Sequence, residues 1–172
     1  LVVKQRKLGG NGPIMANALA CLGLRVNYLG NLGYPVIHPV FRDFATRAEV
    51  KSIAEPGQTD ALEFEDGKLL LGKHESLGDV NWDNLVARVG RDELQRLMDG
   101  ATLIGLVNWT MLPQMGRIWD RLIAEVLPGG AGHHRTLFID LADPEKRTFE
   151  DIRNALGALT RFQEQVDVIL GL

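Results

Sequence analysis

Thr102-Leu103-Ile104-Gly105-Leu106-Val107, Thr136-Leu137-Phe138-Ile139-Asp140 and Asp167-Val168-Ile169-Leu170 are three short apolar runs. Their length and their β-branched and aromatic content predict strands. Between the first two, Met115, Ile118, Trp119, Leu122, Ile123 and Val126 recur at helical spacing until Pro128-Gly129-Gly130. Between the second and third, Phe149, Ile152, Leu156, Leu159 and Phe162 form another such stripe. Strand, helix, strand, helix, strand at this spacing predicts parallel strands joined by right-handed crossovers. The fold expected is α/β: an open, mostly parallel sheet with helices on both faces. The run 102–107, apolar throughout, is expected to be buried on both sides. Upstream, Asp92–Met98 predicts a helix ending at Gly100.

The first hundred residues mix turns with short elements. Leu8-Gly9-Gly10-Asn11-Gly12-Pro13 is a tight turn into a helix, with Pro13 suited to the first helical position. Ile14–Leu22 is apolar nearly all round, so that helix is expected to be largely buried, with Cys21 inert inside it and Gly23 ending it. Val26–Leu29 predicts a strand closed by Gly30 and Gly33. Phe41, Phe44, Ala45 and Ala48 predict a short helix. Ala61–Glu65 and Lys68–Leu71 flank Asp66-Gly67, a hairpin signal, with one face expected in solvent and the other covered.

Composition bounds the function. The chain has 172 residues, a net charge of −3, 45% hydrophobic and 24% charged residues, and one cysteine. That suits one globular domain. It gives no basic footprint for nucleic acid, no disulfide framework and no cysteine metal cluster. No apolar run reaches the ~18–20 residues of a membrane span, so neither nucleic acid nor membrane is expected as a partner, and a cytoplasmic location is. Glycine is in excess, 19 of 172 residues.

Ligands of open parallel sheets bind at the carboxyl ends of the strands. Here those positions are Asn108 and Trp109, and Asp140 to Asp143. Free N–H groups at the Gly9-Gly10-Asn11-Gly12 helix start make a second ligand site. That turn is neither a Walker loop nor a dinucleotide fingerprint. Asn11 offers a donor and an acceptor beside exposed N–H groups, which suits a polyhydroxylated ligand. Asn108 fits either a sugar contact or a cap on the following helix. Trp109 fits core packing better than stacking on a sugar. Met111, Met115 and Trp119 read as core, His38, His74 and His133-His134 as loop residues rather than metal ligands. Asp79, Asp83, Asp92 and Glu93 read as helix-start acids.

Leu8-Gly9-Gly10-Asn11-Gly12, Ala16-Asn17-Ala18-Leu19-Ala20-Cys21-Leu22-Gly23-Leu24-Arg25-Val26 and Leu29-Gly30-Asn31-Leu32-Gly33 together resemble the first signature of the ribokinase (PfkB) family of carbohydrate kinases. Asp140-Leu141-Ala142-Asp143-Pro144 with Arg147 is similar to that family's Asp-Pro-Asn-x-Arg stretch. The resemblance implies a ribokinase-like fold with a small β lid at about 50–75, and residues 1–172 as the N-terminal and central part of one domain. It implies transfer of the ATP γ-phosphate to a sugar or nucleoside hydroxyl with Mg²⁺. Carried over by position, Gly9, Gly10, Asn11 and Asn108 bind the sugar, and Asp140 borders the phosphate-transfer crevice. The lid also implies a possible homodimer.

Several family features are not met. Ile14 stands where asparagine often contacts the sugar. Gly130-Ala131-Gly132 imitates the family's Gly-Ala-Gly-Asp, but His133 replaces the aspartate and the segment lies in a loop. The catalytic aspartate, and most residues that hold ATP and Mg²⁺, are expected beyond Leu172, and an initial strand before Leu1. The chain is therefore expected to be part of a longer protein and inactive alone. The alternative is a non-catalytic sugar- or partner-binding protein of the same fold.

Overall fold

The computed structural model describes residues 2–129 and 134–171. The predicted strands at the chain's end form β5 (Leu103–Leu106), β6 (Thr136–Asp140) and β7 (Asp167–Gly171), paired in parallel in the order β5-β6-β7. Register sets Ile104 beside Leu137 and Leu106 beside Ile139, so the four share one face. Helices α5 (Met115–Arg121), prolonged by a π turn over Leu122–Val126, and α6 (Phe149–Gln163) cover that face. The Met115-to-Val126 stripe is buried throughout, as its spacing requires. α6 differs from expectation. Its buried side is Ala155, Ala158, Leu159 and Phe162, whereas Phe149 and Leu156 are 74% and 49% exposed. At about 100° per residue those two lie more than a quarter-turn from the centre of the buried set.

Helix α1 (Asn11–Cys21) lies on the other side of β5, where Gly105 leaves room for the Met15 side chain. Leu103 nevertheless remains 44% exposed, so β5 is buried on one face only. α1 also departs from its expected burial. Only Pro13 and Ala16 are buried, while Ile14, Leu22 and Cys21 are exposed. A helix apolar all round packs along one side here, and its other sides are left in solvent. Its end follows expectation: Gly23 (φ 87) and Leu24 donate to Ala20 and Leu19 in a Schellman closure.

The expected strand at 26–29 is β1 (Asn27–Gly30), and it pairs in parallel with β2 (Glu49–Ser52), which the sequence pattern missed. Thus the parallel strands fall into two sheets rather than one. The predicted short helix is a 3₁₀ turn (Pro39–Phe41) running into α2 (Arg42–Ala45), and Ala48 lies outside it. Ala16, Leu32, Phe41 and Phe44 form a small second core under this part. α3 (Trp82–Val89), also missed, and α4 (Arg91–Asp99) follow, with Asp83, Asp92 and Glu93 in their first turns. Glu93 meets Arg96 at 2.6 Å and Lys51 of β2 at 3.1 Å. Hydrogen bonds from Arg96 first, then Lys51, hold its carboxyl down at about 2.

The hairpin is β3 (Gln58–Phe64) and β4 (Gly67–Lys73). Phe64 pairs with Gly67, so Glu65-Asp66 forms the turn and Gly67 begins the second strand, one residue earlier than the Asp-Gly pattern implies. The expected covered face is absent. Leu62, Phe64, Leu69 and Leu71 share a side by register, yet Phe64, Leu69 and Leu71 are 63%, 51% and 45% exposed. Gly130, Ala131, Gly132 and His133 lie outside the described residues.

Candidate functional site

At the carboxyl ends of β5 and β6 two non-glycine residues, Asn108 (φ 67) and Ala142 (φ 63), adopt the left-handed conformation. L-residues enter that region at a cost of ~1–2 kcal/mol. Both turns aim an N–H at the carboxylate between them. Asp140 Oδ2 accepts from Asn108 N at 3.1 Å, and Oδ1 accepts from Ala142 N at 2.9 Å. The backbone pairing continues past the strands, with Trp109 N donating to Asp140 O and Thr110 to Leu141 O. A third donor comes from far away in sequence: Asn11 Nδ2 reaches Asp140 Oδ2 at 3.1 Å. Asp140 therefore ties the start of α1 to the ends of β5 and β6, and Asn11, Asn108 and Asp140 meet.

The glycine turn sits beside them. Gly10 (φ 88, ψ 140) precedes α1 and receives the N–H of Ile14 on its carbonyl, and that φ favours glycine. Pro13 is the third helical residue, not the first as expected, still within the turn whose N–H groups have no helical partner. Gly9, Gly10 and Asn11 are exposed. They border an open cleft of about 2020 Å³, walled by Asn31, Asn108 and the hairpin residues Asp60 and Leu62. Asp60 is ion-paired with Lys73 at 2.6 Å across the hairpin.

Tyr28 on β1 was not singled out by the sequence reading. Its ring stands edge-on to Phe44 at 5.5 Å, and its hydroxyl lies against Gly12 and Gly30. A Cβ on Gly30 would come within 2.5 Å of that oxygen. Burial pushes the phenol up. The only advance signal was a tyrosine two residues before a strand-ending glycine.

Of the other residues considered, Trp109 is core: it is 2% exposed, stacks on Trp119 at 6.3 Å and carries the Arg147 guanidinium on its ring at 4.7 Å. Asn108 caps no helix, because α5 begins seven residues later with Gln114 at its cap. His38 accepts from Val40 N, and His134 meets Asp167 at 2.9 Å. Ile14, the family departure, points outward at 53% exposure.

Among the described residues no three His, Cys, Asp or Glu side chains gather as metal ligands. Asp140 is the carboxylate at the site, and both of its oxygens are taken by protein donors. Around Asp140 the turns present amide side chains and backbone N–H groups, a hydrogen-bonding surface that suits a polyol, and Asp60 on the hairpin wall is paired with Lys73.

A family model described as prokaryotic ketohexokinase matches residues 2–172. A curated ketohexokinase from Haloferax volcanii is 30% identical over 164 residues, which is 95% of this chain and 44% of that protein. The chain thus spans less than half the length of this relative. No solved structure matches it.

Proposed function

The chain belongs to the prokaryotic ketohexokinase family, as the PfkB-type resemblance of its glycine turn anticipated, and from that premise we propose that it forms the sugar-binding part of an ATP-dependent ketose kinase. Residues 1–172 are the N-terminal and central part of one ribokinase-like domain, with the lid hairpin at about 50–75. The acceptor is a ketohexose, the substrate class in the name of the relative. The observation that carries this reading is the joint placement of Asn11 and Asn108 on the Asp140 carboxylate.

Because Asn11 Nδ2 is engaged by Asp140, its Oδ1 is left to accept from a sugar hydroxyl. The N–H groups of Gly9 and Gly10, just before α1, and of Asn11 in its first turn donate to sugar oxygens. The Asn108 carboxamide, without a protein partner among the described residues, supplies a further donor and acceptor. Asp140 borders the crevice where phosphate transfer takes place and holds the two asparagines in position. ATP with Mg²⁺, held chiefly by parts of the kinase outside residues 1–172, supplies the transferred phosphoryl group when bound. The lid hairpin lies over the cleft, and its closure excludes water from the transfer. Its apolar side also fits a second copy of the chain, giving a homodimer. ATP as co-substrate suits a cytoplasmic enzyme.

The alternative is a non-catalytic sugar-binding relative of the same fold. Saturation-transfer NMR with D-fructose, D-glucose, D-ribose and adenosine tests both, alongside an assay for ATP-dependent phosphorylation. Residues 1–172 should bind D-fructose without turning it over, and the full-length kinase should phosphorylate it. A full-length protein that binds fructose without phosphorylating it supports the second reading. Binding of adenosine alone, or of nothing, contradicts both.

A further inference from the structure

The phenol of Tyr28 is a polar group of the cleft that belongs to neither the helix-start turn nor the ends of β5 and β6. Its ring is fixed by Phe44, and its hydroxyl lies where three site elements converge. A Cβ on Gly12 of α1 would come within 3.2 Å of the oxygen and 3.3 Å of Val107 beyond β5, and one on Gly30 at the end of β1 within 2.5 Å of the oxygen. The residue lines the cleft and is half-buried. No hydrogen bond from the hydroxyl to a protein group occurs among the described residues.

The hydroxyl is not among the wholly buried polar atoms that lack a partner, so it opens onto the cleft rather than into the core. Without a protein partner it adds little to folding, and phenylalanine fills the same place. The absence of side chains at Gly12 and Gly30 is what admits the oxygen at all, since a Cβ at Gly30 would collide with it. With its ionisation pushed upward by burial, the phenol stays protonated at physiological pH and is available as a neutral donor.

We propose that the Tyr28 hydroxyl is a further sugar-contacting group, donating a hydrogen bond to an oxygen of the ketose held at Gly9, Gly10, Asn11 and Asn108, and that it thereby sets which hydroxyl pattern the site accepts. This rests on the sugar-binding reading above. It adds to that reading a contact from β1.

The test compares wild type with Tyr28→Phe in the whole chain, using NMR titration with D-fructose and thermal unfolding. The dissociation constant should rise about 3- to 10-fold, the range of one neutral hydrogen bond. Melting temperature should stay level or rise. In a series of monodeoxy-fructoses, one analogue should bind wild type more weakly than fructose does, yet match fructose in the variant. Equal fructose affinity in the two proteins overturns the role of Tyr28 while leaving the sugar site intact. A fall in melting temperature in step with affinity also overturns it, as a packing effect. If wild type itself binds no ketohexose, the underlying reading fails and takes this inference with it.

Discussion

Replacing Asp140 by alanine removes one carboxylate and leaves three donors without their acceptor: Asn11 Nδ2, Asn108 N and Ala142 N. The Asn11 bond is exposed and contributes little to folding. The other two engage half-buried backbone N–H groups in turns that hold Asn108 and Ala142 at φ 67 and φ 63. Hydrogen bonds to a charged group are worth ~1.5–3 kcal/mol each when buried. Discounted for partial exposure, the two together give about 2–4 kcal/mol. For a chain of this size each kcal/mol shifts the melting temperature by roughly 2–4 °C, so Asp140→Ala should melt ~5–15 °C lower. Urea unfolding followed by the fluorescence of the buried Trp109 and Trp119 measures the same loss. Ala142→Gly provides the control. Glycine adopts positive φ without strain, so this variant should be more stable than wild type by ~1 kcal/mol, and Asp140→Ala should cost less in its background. A loss below ~0.5 kcal/mol, typical of an ordinary surface change, would refute the role of Asp140 as the tie between the strand ends.

Three further outcomes are expected. Gly33→Ala should destabilise by about 3 kcal/mol or more in the same urea assay. At φ 111 a Cβ there would lie 2.5 Å from Val36 O and 2.6 Å from His38 N, backbone atoms that cannot swing away. Glu93→Gln should be less stable than wild type at neutral pH, and the gap should close on acidification. The folded carboxyl sits at about 2 against an ordinary value of 4.5, so its stabilisation is complete above pH 4.5 and is lost as pH falls through about 2. A gap that is constant with pH in thermal melts contradicts this. Leu69→Ser with Leu71→Ser should leave the melting temperature unchanged at concentrations where the chain is monomeric, because both side chains are exposed in the single chain. Sedimentation should then show a loss of self-association if the hairpin is where copies meet. An unchanged dimer in the double variant removes the hairpin from the interface.

The carboxyl-terminal strands and helices were legible because their apolar residues repeat at spacings that only one element type satisfies. Met115 to Val126 is the clearest case. β2 was not legible: Glu49-Val50-Lys51-Ser52 is short and half polar, and it becomes a strand only by pairing with β1. The burial of α1, β5 and the hairpin was overestimated for a common reason. Apolar content says which side chains avoid water, not which neighbours are there to cover them. The site divides similarly. Gly10, Asn11, Asn108 and Asp140 could each be picked out from a turn or a strand end. That three of them meet depends on left-handed backbone at Asn108, a residue type that tolerates it, and at Ala142, a type that gives no sign of it. The place of Tyr28 depends on Gly12 and Gly30, glycines from separate elements that come together only in the fold.

The central claim is that the glycine turn and the end of β5 together form a sugar site. An amide-resolved NMR titration of the uniformly ¹⁵N-labelled chain with D-fructose tests it most directly. Shifts should concentrate at Gly9, Gly10, Asn11 and Asn108, extend to the Asn11 and Asn108 side-chain amides, and largely disappear in Asn11→Ala. Shifts that fall elsewhere, or that persist unchanged in Asn11→Ala, contradict the account.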